Sequence, residues 1–211
     1  VLTKTVQWVT GSSPVSDALA VLRAGGVLVY PTETVYGIGT ALSAGDAGVE
    51  RVRVAKGSPK GRPYLLLVAD AASAFALWSQ VPEQARLLAA RHWPGPLTLI
   101  GPAAAGLPAS LLGSEVLNDK QIPTVSVRVP GDGRLRSLLL RLGEPLLSTS
   151  ANRSGHPAPV HFTEVHVSAL AADLAIDAGE CEGGMPSTLV SLLHDPPLVL
   201  RQGSVVLEAS P

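Results

Sequence analysis

Residues Val27 to Gly39 read Val-Leu-Val-Tyr-Pro-Thr-Glu-Thr-Val-Tyr-Gly-Ile-Gly, an order that leaves the backbone few options. The apolar run from Val27 to Tyr30 predicts a buried strand. Pro31 cannot donate to a ladder, so it marks where the chain leaves the sheet. Thr32, Glu33 and Thr34 then lie at the strand's exit, where donors on backbone and side chain can face a ligand. Gly37 and Gly39 permit close backbone approach or unusual dihedrals. Locally this is a strand, a polar turn and a second strand.

The flanking chain continues in the same style. Thr5 to Val9 alternates and reads as a strand. Ser16 is placed to cap a helix with the stripe Leu19, Ala20, Val21 and Leu22, stopping at Gly25-Gly26. Ala44 to Lys56 reads as a helix, followed by the basic, proline-stiffened loop Lys56-Gly57-Ser58-Pro59-Lys60-Gly61-Arg62-Pro63. Tyr64 to Ala69 fits a buried strand, Ala71–Trp78 and Pro82–His92 fit helices, and Trp93 to Ile100 is a turn feeding a strand. Residues 102–122 read as irregular. From Pro123 to Val129 the pattern alternates, with Val125, Val127 and Val129 on one face and Thr124, Ser126 and Arg128 on the other. A helix is predicted at Arg134–Leu142, a strand at Pro145–Thr149, and a helix at Thr163–Ala171 capped by Thr163. Short strands follow at Leu174–Ala178, Ser187–Leu192 and Leu198–Leu200. Several strand connections are too short for a crossover helix. The prediction is therefore one α/β domain over residues 1–211, a twisted mixed parallel and antiparallel sheet with flanking helices.

Composition narrows the function classes. Of 211 residues, 46% are hydrophobic and 16% charged, enough for a large core and too little charge for long disordered tracts. The net charge of −1 gives no basic bias toward nucleic acid. A single cysteine, Cys181, excludes an internal disulfide and suits a reducing compartment. No apolar run reaches the roughly 18 residues of a membrane span, and no signal peptide is legible. The expectation is a cytoplasmic protein with no membrane partner.

Familiar nucleotide and metal signatures are missing. There is no G-x-x-x-x-G-K-[ST], and Gly37-Ile38-Gly39 does not extend to G-x-G-x-x-G. The five histidines lack ligand spacing, so no structural metal is expected. What remains is a set of polar side chains at strand ends: Thr34, Lys56, Arg128, Ser150, Asn152, Ser187-Thr188 and Arg201. Hydroxyls, an amide and cations converging at strand ends suit an anion, or a small molecule with anionic and hydroxyl groups.

Seven segments in order carry a resemblance. They are Pro31-Thr32-Glu33-Thr34-Val35-Tyr36-Gly37; Lys56-Gly57 with Pro59 and Pro63; Trp93-Pro94-Gly95-Pro96-Leu97-Thr98-Leu99; Thr124-Val125-Ser126-Val127-Arg128-Val129-Pro130; Ser150-Ala151-Asn152-Arg153-Ser154-Gly155; Ser187-Thr188-Leu189-Val190; and Leu200-Arg201-Gln202-Gly203. Together they resemble the YrdC-like family, the threonylcarbamoyl-AMP synthases. The resemblance implies a twisted sheet curved around a concave, positively lined pocket. It implies condensation of L-threonine, bicarbonate and ATP to L-threonylcarbamoyl-AMP and pyrophosphate, with Mg²⁺ accompanying ATP. The product serves the threonylcarbamoyladenosine modification of tRNA, so downstream transfer proteins are implied partners. Weak tRNA contact is left open, since near-neutral charge argues only against strong electrostatic RNA binding. By position, Thr34, Arg128, Ser150 and Ser187 match threonine-binding residues, with Arg128 on the carboxylate. Lys56, Arg62, Thr124, Asn152, Val160 and Arg201 match nucleotide-binding residues, Val160 through its backbone. No residue is identified as a general base.

One position departs from the family pattern. The basic loop usually reads Lys-x-Arg and here reads Lys56-Gly57-Ser58. Lys60 or Arg62 is the candidate replacement on the same loop. The chain ends soon after Gly203, which predicts the single-domain, TsaC-type form. The competing reading is a YciO-like paralogue, or an RNA- or nucleotide-binding module, that keeps the pocket without this reaction.

Overall fold

The computed structural model describes residues 3–8 and 14–207. The strands are β1 (Lys4–Gln7), β2 (Leu28–Tyr30), β3 (Gly37–Ala41), β4 (Leu65–Leu67), β5 (Leu97–Pro102), β6 (Gly113–Leu117), β7 (Lys120–Arg128), β8 (Leu146–Ser150), β9 (Leu174–Asp177), β10 (Thr188–Ser191) and β11 (Leu198–Arg201). The helices are α1 (Pro14–Arg23), α2 (Gly45–Lys56), α3 (Ala71–Phe75), α4 (Glu83–His92), α5 (Gly133–Leu142) and α6 (Val167–Leu170). The described strands form one sheet in the order β1-β9-β2-β3-β8-β4-β7-β5-β10-β11, with β6 paired to β7 alone. Pairing is mixed. β2 runs parallel to β9 and antiparallel to β3, and β4 runs parallel to β7 and antiparallel to β8.

The two faces of the sheet are covered unequally. Leu19 and Leu22 of α1 and Leu135, Leu138, Leu139 and Leu142 of α5 pack on Leu28, Leu67, Leu146 and Ile176. Each buried leucine of α5 contributes roughly 1.5–3 kcal/mol of burial. The opposite face carries Val125 and Val127 of β7, Leu97 and Leu99 of β5, and Val49 and Val52 of α2. Alternation then sends Thr124, Ser126 and Arg128 of β7 and Thr98 and Ile100 of β5 to the α1/α5 side. The helices on that side pack over the other half of the sheet, and these residues line a cavity instead.

Three expectations need correction. α1 begins at Pro14, so Ser16 lies in its first turn and is not its cap; proline suits that position because the first-turn N–H groups have no helical acceptor. The predicted N-terminal strand is observed as β1, and Val9 lies outside the described residues. Residues 102–122 are not irregular throughout. They contain a 3₁₀ turn at Ala109–Leu111 and the strand β6, which forms a hairpin with a β7 that begins at Lys120. Asn118 and Asp119 turn this hairpin, both with positive φ (51° and 61°), the conformation a two-residue hairpin loop demands. Finally, Thr163 caps no helix. It sits inside a 3₁₀ turn, Phe162–Glu164, whose Glu164 carboxylate accepts from the N–H groups of Val160 and His161. The short α6 starts only at Val167, since β-branched Val165 and Val167 disfavour a continuous helix.

Candidate active site

The turn after β2 is built by Thr32. Its Oγ1 accepts from the N–H groups of Thr34 (3.0 Å) and Val35 (3.2 Å) and donates to the Val35 carbonyl (2.7 Å). The Thr34 hydroxyl lies 2.7 Å from Thr32 Oγ1, with either oxygen able to donate. Arg128 NH1 donates to Thr34 Oγ1 at 3.1 Å. Arg128 is only 3% exposed. Its Nε donates to the Gly95 carbonyl (3.1 Å) and its NH2 to Glu33 Oε1 (2.5 Å). Glu33 Oε1 also accepts from Gly131 N (2.7 Å). The guanidinium is thus fixed by three groups on two separate segments, with two of its five N–H groups uncommitted by these bonds. The ring of Tyr30 and the β3–β8 pairing sit close enough to exclude a side chain at Gly37 and Gly39 of β3. A Cβ at Gly39 would meet the Leu147 carbonyl oxygen at 1.9 Å, and one at Gly37 the Tyr30 ring at 2.8 Å.

A second cluster stands where α2 ends against the segment after β8. Lys56 is the last residue of α2, and Gly57 closes the helix in the left-handed conformation. The Lys56 ammonium is 2% exposed and donates to the carbonyls of Ser150 and Asn152 and to Asn152 Oδ1. All three protons have acceptors inside the protein. Burial, with a smaller contribution from the Arg62 charge, pushes its pKa down to about 8. Asn152 Oδ1 also accepts from Ser150 Oγ (2.5 Å), while its Nδ2 donates to the carbonyls of Arg153 and His156. Lys56 therefore acts on the cavity by holding Ser150, one of its lining residues.

The third cluster lies at β5, β10 and β11. Ser187 Oγ sits 2.7 Å from Thr98 Oγ1, and the Ser187 carbonyl accepts from Nε (3.1 Å) and NH2 (2.9 Å) of Arg201. Burial, then the charges of Arg128 and Arg62, hold the Arg201 pKa below its ordinary value. The three guanidinium groups thus share one field. Arg128 has Glu33 as counter-ion, whereas Arg201 bonds Ser187 and Arg62 bonds Ser154 Oγ (3.2 Å), both neutral. Cations held by neutral acceptors around a low-dielectric wall attract an anion.

These clusters meet at a cavity of about 430 Å³, within the range of small-molecule sites. Thr34, Arg62, Thr124, Arg128, Ser150, Ser187 and Arg201 line it. Lys56 and Asn152 stand directly behind Ser150. Val160 does not line it; its N–H donates to Glu164 and its carbonyl accepts from Cys181 N. Of the two replacements for the missing loop arginine, Arg62 lines the cavity and Lys60 does not. Ser58 itself is buried, and its Oγ has no partner. Cys181 is buried and its thiol is pushed up to about 11, chiefly by burial, which makes it a poor nucleophile. Sequence reasoning missed Glu33 as the partner of Arg128, Thr98 beside Ser187, and Glu115 on the cavity wall. A polar residue inside an apolar strand was the available signal for Thr98. Glu115 fell in the segment read as irregular.

The sequence profile of the Sua5/YciO/YrdC family, described as telomere recombination, matches residues 20–203. This chain belongs to the Sua5/YciO/YrdC family. The threonylcarbamoyl-AMP synthase of Pyrococcus abyssi is 35% identical over 194 residues, covering 90% of this chain and 54% of that protein. This chain thus spans about half the length of that curated relative. Among solved Sua5/YciO/YrdC structures, P. abyssi Sua5 complexed with L-threonine superposes with a TM-score of 0.82 at 31% identity, over 96% of this chain and 58% of its own. Escherichia coli YciO superposes with a TM-score of 0.79 at 29% identity, over 96% of both chains. The mixed α/β sheet with flanking helices is therefore the fold of this family.

Proposed function

We propose that this chain is a threonylcarbamoyl-AMP synthase, condensing L-threonine, bicarbonate and ATP to L-threonylcarbamoyl-AMP with release of pyrophosphate. The observation that carries this reading is the convergence of Arg62, Arg128 and Arg201 on one hydroxyl-lined cavity, two of them without a counter-ion among the described residues. A family relative whose structure is described as a complex with L-threonine supports it. Arg128 pairs the threonine carboxylate, and the Thr34 hydroxyl meets a polar group of the same ligand. Ser150 and Ser187 complete the threonine side. Arg62, Thr124 and Arg201 take the nucleotide side, while Lys56 and Asn152 hold the Ser150 segment in place.

In this reaction the amine of threonine condenses with bicarbonate, forming the N–C bond of N-carboxythreonine and releasing water. One oxygen of that new carboxylate attacks the α-phosphate of ATP, and the bond to pyrophosphate breaks. The protein supplies positioning and charge neutralisation. Mg²⁺ enters on the triphosphate as part of the substrate; no group of three or more His, Cys, Asp or Glu that could hold an ion occurs among the described residues. The product passes to transfer proteins that act on tRNA, and the reaction belongs in the cytoplasm. The test is pyrophosphate release measured with and without L-threonine and bicarbonate. Dependence on both is expected. Release that ignores either, or no release together with tight RNA binding, would overturn the proposal.

A further inference from the structure

Glu115 of β6 is the one carboxylate among the described residues that line the cavity. Its Oε2 accepts from Ser191 Oγ at 2.8 Å and lies 3.2 Å from His194 Nε2. In the sheet, β7 and β5 separate β6 from β10. The contact therefore joins β6 to β10 and the turn after it across two intervening strands. That tie needs only Oε2. The second oxygen, Oε1, is buried and has no hydrogen-bond partner among the described residues, a costly arrangement in a native interior.

A carboxylate can only accept hydrogen bonds, and it repels phosphates and carboxylates. Its match on a ligand is a part that carries O–H or N–H donors and no negative charge. On the adenylate of the proposed reaction, that part is the nucleoside, with its ribose hydroxyls and base amine. Placement agrees: Gly113, two residues before Glu115, pairs with Thr124 on the nucleotide side of the cavity. We infer that Glu115 is a specificity-determining residue whose free oxygen accepts a hydrogen bond from a nucleoside donor. The inference rests on reading the cavity as an ATP site.

Calorimetric titration with MgATP, 2′-deoxyATP, 3′-deoxyATP and purine riboside triphosphate, which lacks the 6-amino group, tests it. Wild type is expected to bind one analogue about tenfold more weakly than ATP, and that analogue names the donor. Glu115→Ala should bind ATP and that analogue equally. Ser191→Ala, which cuts the tie and keeps the carboxylate, should preserve the preference. Equal binding of all four by wild type overturns the inference. So does an unchanged preference in Glu115→Ala, or one lost equally in Ser191→Ala. A wild type that binds no ATP overturns the underlying site reading and this inference with it.

Discussion

Arg128 shows how much one buried side chain organises. Its guanidinium reaches Gly95, Thr34 and Glu33 at once, a span that a lysine ammonium cannot copy. Arg128→Lys should raise the KM for L-threonine by about 10- to 100-fold, the worth of a charged hydrogen bond, read from initial rates of pyrophosphate release. Lys56 makes a different prediction. Its folded pKa of about 8 lies below its ordinary value of 10.5, so between these pH values the unfolded chain binds more protons. The contribution of Lys56 to stability therefore rises with pH across that window, by roughly 3 kcal/mol in all. Denaturant titrations of wild type and Lys56→Met at several pH values should differ in slope there. At neutral pH the ammonium is charged and holds the Ser150 segment; above about pH 8 activity should fall as that charge is lost.

At the scale of elements, the tightest constraint is the pairing of β3 with β8. Gly39→Ala places a methyl against the Leu147 carbonyl, and no flexible side chain can give way. A loss of about 2–4 kcal/mol is expected, seen as a lower Tm. The chain declared these elements unevenly. β2, Pro31 and the glycines of β3 were legible because each residue type has one plausible job there. The alternation of β7 was legible too, but not that its polar face is buried, because burial of Arg128 depends on Glu33 and Gly95 from other segments. β6 escaped because Gly113-Ser114-Glu115-Val116-Leu117 has only a weak apolar face; Asn118-Asp119 was the turn signal to weigh. The predicted 163–171 helix failed because the chain turns as a 3₁₀ helix at Phe162–Glu164 and β-branched Val165 and Val167 interrupt it before α6.

At the scale of the whole molecule, an uncovered half-face beside paired layers produces the cavity, and its charge is exposed to salt at one rim. Arg62 is solvent-exposed whereas Arg128 is buried. Raising ionic strength should therefore weaken ATP affinity more than threonine affinity, and Arg62→Ala should flatten the salt dependence for ATP, measured by titration at several salt concentrations. The wall of the cavity also joins distant stretches of chain, from Thr32 to Arg201. On the ribosome, at the usual pace of synthesis, about ten seconds or more separate the emergence of those two residues. A nascent chain already carries its first hydroxyls while Ser187 and Arg201 are still untranslated, so the complete wall exists only after the last strands are made.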